Sequence, residues 1–121
     1  MNNKDIFAYV RELGYLYIHD VLLEYIYPRV FVCEDMFNNK YLLYEVSSEN
    51  NKDIWLATKI SENEYHSLIN SKNPVQKAYE KKTGTDLFTI SIQYGKKDSV
   101  ELSFGVSEWL NKLPADPIYA E

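Results

Sequence analysis

A chain of 121 residues fits one compact domain, and a 45% hydrophobic, 15% aromatic composition excludes a disordered one. A single cysteine excludes an internal disulfide, and the opening MNNKDIFAYV lacks the basic-then-apolar order of a secretory signal. The net charge of −5, from 18 acidic and 13 basic residues, argues against a nucleic-acid partner, whose phosphates reward a positive footprint.

Residues 4–13 read as a short amphipathic helix. Ile6, Tyr9, Val10 and Leu13 fall at i, i+3, i+4 and i+7, Asn2 or Asn3 can cap it, and Gly14 can end it. Residues 15–24 and 29–34 read as strands that turn near Pro28, which cannot donate to a central ladder. A third strand is expected at 41–46, after a tight turn at Asn38 and Asn39, and a fourth at 54–60, after a polar loop over 47–53.

The pattern changes at ISENEYHSLI. Ser61 and Glu64 have the spacing of a capping box, Ile60 and Tyr65 that of a hydrophobic staple, and Tyr65, Leu68 and Ile69 form an apolar stripe. A second helix start follows, with Asn73 as cap, Pro74 at the first position, Lys81 and Lys82 near the end and Gly84 beyond it. Its inward residues are Val75, Ala78 and Tyr79. DLFTISIQYGKKDSVELSF has period two, with Phe88, Ile90, Ile92 and Tyr94 on one face of the first strand and Val100, Leu102 and Phe104 on one face of the second. A last helical turn, capped by Ser107 and stopped before Pro114, is expected to fold Trp109, Leu110 and Leu113 back on the sheet. The expected fold is therefore a single α+β domain over residues 1–121. It has a short N-terminal helix and a curved antiparallel sheet made of a meander of about four strands plus a C-terminal hairpin, with two short helices inserted between them. No run approaches about 18 uninterrupted apolar residues, so no membrane span is expected and the expected location is cytoplasmic.

PRVFVCEDMFNNKYLLYEV, IWLATKISENEYHSLINSKNPVQKAYE and the WLNKLP tail together resemble a family of small bacterial and phage-associated domains of unknown function. Pro28, Phe31, Tyr41, Leu42, Trp55, Leu56, Ser61, Glu62, Glu64, Ala78 and Tyr79 carry the likeness. It covers roughly residues 14–80 and, more weakly, the tail. The resemblance implies an uncharacterised domain and brings no catalytic residues.

The sharpest enzymatic idea pairs Cys33 with His19, because a thiol needs a base beside it to act as a nucleophile. A hairpin centred on Ile26 sets Cys33 opposite His19, whereas a one-half-residue shift sets it opposite Asp20 and sends His19 to the other face. Inside VFVC the bland alternative is a small buried hydrophobe. The two histidines, His19 and His66, are far apart, no metal-ligand spacing exists and no glycine-rich phosphate loop is present, so no metal, cofactor or catalytic set is expected.

Tyrosine is the informative residue. Eleven are present, and Tyr15, Tyr17, Tyr25, Tyr27, Tyr41 and Tyr44 crowd the first three expected strands. A two-faced sheet cannot bury them all, and rigid aromatics rimmed by acids suit a protein contact surface. Half-buried strand filling is the plain alternative. Lysines at 77, 81, 82, 96 and 97 form a candidate basic patch, equally explained as a solvated helix end and hairpin tip. The leading expectation is a non-catalytic module that binds another protein, of the sort that inhibits a bacterial toxin, defence or nuclease component. The alternatives are an enzyme built on Cys33 and His19, and self-association through the sheet or the edge strand at 99–104.

Overall fold

The computed structural model describes residues 5–25, 27–104 and 107–121, and the side chains of 24, 25, 27, 28 and 107 fall outside that description. Among the described residues, seven strands follow one another as β1 (Ile6–Val10), β2 (Gly14–Tyr25), β3 (Tyr27–Glu34), β4 (Lys40–Glu49), β5 (Lys52–Ile60), β6 (Leu87–Gln93) and β7 (Ser99–Phe104). Every pairing is antiparallel, and the order across the sheet is the order along the chain. The sheet curls until β1 and β7 come near each other, with no ladder joining them among the described residues, so it is a barrel open along one seam.

The expected N-terminal helix is a strand. Its apolar spacing suits a helix, but Ala8 and Val10 are the buried residues, two apart as a strand requires. Partner and turn decide between the two. Residues 11–13 make a tight loop closed by the Leu13 amide donating to the Val10 carbonyl at 2.9 Å, and Gly14 takes a left-handed φ of 80° that returns the chain along β1. The cap expected at Asn2 or Asn3 lies outside the described residues.

The two inserted helices are also corrected, to one. The α-helix α1 (Glu62–Ile69) starts where the capping box places it, with the Glu64 amide donating to Ser61 Oγ at 3.1 Å and the Ser61 amide donating to Glu64 Oε1 at 3.0 Å. The second segment makes only a 3-10 turn at Val75–Tyr79 and then extends at Glu80. Its Val75 amide donates to the Ile118 carbonyl at 2.7 Å, and the buried Tyr79 hydroxyl lies 3.1 Å from the Leu42 carbonyl and 2.9 Å from that of Leu56. These anchors hold the segment flat on the sheet, where a longer helix would lift it away. The α+β expectation thus gives way to a mostly β domain. The polar loop expected over 47–53 is shorter too, a two-residue hairpin turn at Asn50 and Asn51, both with positive φ.

Apolar residues fall in two layers. Phe31, Cys33, Tyr41, Leu43, Trp55, Ala57, Phe88 and Ile90 fill the inside of the curl. Val30, Val32, Leu42, Leu56, Ile60 and Leu87 face outward and are covered by Leu68 of α1, by Val75, Ala78 and Tyr79, and by the tail through Trp109, Leu110, Leu113 and Ile118. Burial on both faces is why VFVC, LLY and WLA are unbroken apolar runs where an exposed sheet would alternate. The outer cover stops at β2, where Leu22 is the buried outward residue. The outer side of the β1–β2 hairpin is left open.

Candidate functional site

The open side is aromatic. A bulge between Ile6 and Ala8 lets both Phe7 and Ala8 join the inner core and turns Ile6 and Tyr9 outward. Ile6 pairs with Tyr17 and Tyr9 with Tyr15 across the hairpin. The Tyr9 and Tyr15 rings meet edge to face with centroids 4.9 Å apart, and Tyr15 and Tyr17 lie 6.4 Å apart. Ile6, Tyr9 and Tyr15 are 58%, 53% and 43% exposed.

The β3–β4 turn lies at the Gly14 end of this hairpin. A Cβ built on Gly14 would lie 3.8 Å from Met36 Sδ, so the turn sits against the start of β2. Met36 and Phe37 project from it and are 65% and 80% exposed. Asp35 builds the turn: its Oδ1 accepts the amides of Phe37 at 2.8 Å and Asn39 at 2.9 Å, and its Oδ2 accepts Asn39 Nδ2 and the Tyr41 hydroxyl, each at 3.0 Å. Asn38 supplies the left-handed residue, with φ 67°. Burial raises the Asp35 pKa, but these hydrogen bonds together outweigh it and hold the carboxyl below the usual value.

A charged network borders the aromatic surface where Tyr17 pairs with Glu34. His19 Nδ1 is 3.5 Å from Glu34 Oε2, and His19 Nε2 is 3.7 Å from Asp20 Oδ2. Lys40 Nζ reaches Glu34 at 3.4 Å and Glu62 of α1 at 2.7 Å, and lies 5.1 Å from the centroid of the Tyr65 ring. The Tyr65 hydroxyl donates to Asp20. The hydrogen bond to Glu62 leads the causes that raise the Lys40 pKa, and burial followed by the bond to Asp20 raises that of Tyr65. The network ties α1 to β2, β3 and β4, with three carboxylates, Asp20, Glu34 and Glu62, sharing Lys40 and His19. Among the described residues, no group of three histidine, cysteine, aspartate or glutamate side chains could hold a metal ion.

Of the tyrosines singled out from sequence, Tyr15 and Tyr17 lie on the open side. Tyr41 is 5% exposed and belongs to the inner core, and Tyr44 is half-buried against the outer core, where burial raises its pKa. The side chains of Tyr25 and Tyr27 lie outside the described residues. The five lysines do not form one patch. Lys82 lies by the end of β5, with its Nζ 2.6 Å from the Lys59 carbonyl and 3.1 Å from Glu64, while Lys77 Nζ lies 3.3 Å from Asn73 Oδ1 and Lys81 takes a left-handed φ of 62° between them in the chain. Lys96 and Lys97 lie in the β6–β7 turn, the length of β6 away.

Cys33 and His19 do not meet. Cys33 pairs with Ile18 and is fully buried in the inner core, and His19 stands in the bulge between Ile18 and Asp20, facing the outward carboxylates. The register centred on Ile26 holds at Tyr25–Tyr27, Glu24–Pro28, Val21–Phe31 and Asp20–Val32, and the bulge between Ile18 and Asp20 shifts it by one before Cys33, so Cys33 meets neither His19 nor Asp20. Burial pushes the Cys33 thiol pKa far up. Sequence reasoning missed Ile6, Tyr9, Met36 and Phe37. The first two were absorbed by the helical reading, and the pair Met36-Phe37 between Asp35 and Asn38 was visible as apolar residues in a turn.

The fold and this surface define a small, curled antiparallel-sheet domain with an uncovered aromatic hairpin. A family model described as a family of unknown function (DUF6575) matches residues 4–114, and the chain belongs to that family. That is consistent with the resemblance to an uncharacterised domain. Comparison with curated proteins and with solved structures gave no significant match. Among the described residues, no helix is long and apolar enough to cross a membrane.

Proposed function

We propose that this domain is a non-catalytic protein-binding module whose contact face is the outer side of the β1–β2 hairpin with the β3–β4 turn. The carrying observation is the cluster of Ile6, Tyr9, Tyr15 and Tyr17 on the part of the sheet that neither α1 nor the tail covers, with the exposed Met36 and Phe37 in the turn that meets β2 at Gly14. Tyrosine gives large contact area at low conformational cost, and apolar residues exposed together suit a protein interface. Within this proposal the module acts in the cytoplasm of a bacterium or phage-infected cell, as an inhibitor or immunity-type protein that covers a working surface of a toxin, defence or nuclease component. That role rests on analogy with other small acidic domains.

The test is affinity capture from native lysate with the wild-type chain and with the double variant Tyr9→Ser, Tyr15→Ser. The expected outcome is a stoichiometric partner held by the wild type and reduced about tenfold or more by the double variant. A partner held equally by both overturns the assigned face. The outer edge of β7, which has no ladder partner among the described residues, favours a second reading, self-association, and sedimentation at high protein concentration separates the two.

A further inference from the structure

Resting on the proposed contact face, the charge around the aromatic hairpin points to the chemistry of its partner: we infer that the face takes a cationic protein segment, rich in Lys or Arg and flanked by apolar residues. Four carboxylates lie on the segments that flank the rings: Asp5 before β1, Glu12 in the β1–β2 turn near Val100 and Leu102 of β7, Asp20 in β2 and Glu62 at the start of α1. Among the described residues, the cations nearby are fewer. Lys40 has a side chain only 11% exposed and lies between Glu34 and Glu62, so it is enclosed by carboxylates instead of presented. Arg11 is the exposed cation of the hairpin. The ring faces of Tyr9 and Tyr15 add a second attraction of the same sign, since an aromatic face draws a guanidinium or ammonium group.

The other occupants fit less well. A second copy docked about a two-fold axis brings the same patch against itself, and Glu12 and Asp20 then meet a surface of their own sign. A nucleic acid or an anionic lipid surface carries phosphates toward these carboxylates. A cationic segment gains from both the rings and the acids, and the long-range part of that gain weakens with salt.

The experiment is selection of a displayed random-peptide library on the immobilised wild-type protein. Each selected peptide is then measured against three variants: Tyr9→Ser with Tyr15→Ser, Glu12→Lys, and the remote control Tyr94→Ser. The expected result is enrichment of Lys and Arg by about twofold over the library. Affinity should fall about tenfold in the double tyrosine variant, by about threefold in Glu12→Lys, and stay level in Tyr94→Ser. Binding of the enriched peptides should also weaken about threefold or more between about 50 and 300 mM salt. Neutral or acidic peptides that depend on Tyr9 and Tyr15 overturn the cationic partner and leave the contact face standing. Peptides indifferent to those tyrosines, or no peptide that distinguishes the wild type, overturn both. Dimerisation abolished by the tyrosine substitutions identifies a second copy as the occupant and overturns the inference. Glu12→Lys leaves the rings in place, so it separates lost charge from lost folding.

Discussion

Cys33 faces Ile18 across the β2–β3 ladder, and His19, one residue along, bulges to the opposite side of the sheet and meets Glu34. The thiol is buried and its pKa is raised, so the nucleophilic thiolate is suppressed twice, by access and by protonation. Reaction with a thiol reagent at neutral pH should therefore be at least about a hundredfold slower in the native protein than in denaturant. The substitution His19→Ala should leave the native rate unchanged. Fast native labelling that slows in His19→Ala would show that the two residues share a face.

Asp35 makes the second prediction, one of pH. Its folded pKa lies below the ordinary value of 3.8, so its contribution is present above that value and is lost as pH falls through the folded pKa. Asp35→Ala removes the acceptor of two amides, one carboxamide and one phenol. It should cost about 1–3 kcal/mol at neutral pH. The difference from wild type should shrink toward the acid limit, where the wild-type carboxyl is protonated as well. Urea melts of the two proteins at neutral pH and near pH 3 measure this. A difference that holds constant with pH would assign the loss to shape instead of charge.

Much of this fold was legible, and the misses share one cause. Ser61 and Glu64 fixed the start of α1 because a capping box is satisfied within four residues. The alternation of Phe88, Ile90 and Ile92 fixed the last hairpin for the same local reason. Ile6, Tyr9 and Val10 satisfy a helix and a strand alike, and what decided was a partner, β2, supplied by Gly14 turning the chain back. The helical appearance of NPVQKAYE yielded to Tyr79, whose hydroxyl reaches two sheet carbonyls from strands not adjacent to it in sequence. The face shows the same division. Tyr15 and Tyr17 were visible as surplus aromatics, and Tyr41 looked identical until the β3–β4 turn placed its hydroxyl on Asp35.

Tyr79 gives a third prediction. Its ring is buried within the outer cover and its single proton serves the carbonyls of Leu42 and Leu56, while burial keeps the phenol protonated. Tyr79→Phe keeps the ring and should cost about 1 kcal/mol. Tyr79→Ala leaves a cavity between the 3-10 turn and β4–β5 and should cost about 3–5 kcal/mol. Equal losses in the two variants, measured by chemical denaturation, would place the whole contribution in the hydroxyl and contradict the packing role.

The last prediction concerns whether the aromatic hairpin belongs to the fold or to a partner. Tyr9 and Tyr15 touch edge to face, yet each leaves about half its surface in solvent. Exposed cross-strand aromatic pairs couple by about 0.5–1 kcal/mol, and substitutions that open no cavity stay small. Tyr9→Ser and Tyr15→Ser should each cost about 1 kcal/mol or less, with the double variant less destabilised than the sum by that coupling. The four proteins of the cycle, compared by urea denaturation, give the number directly. A double-variant loss above about 3 kcal/mol would mean that the rings hold β1 onto β2. A small loss means that the fold stands without them, and any binding lost with them belongs to the face itself.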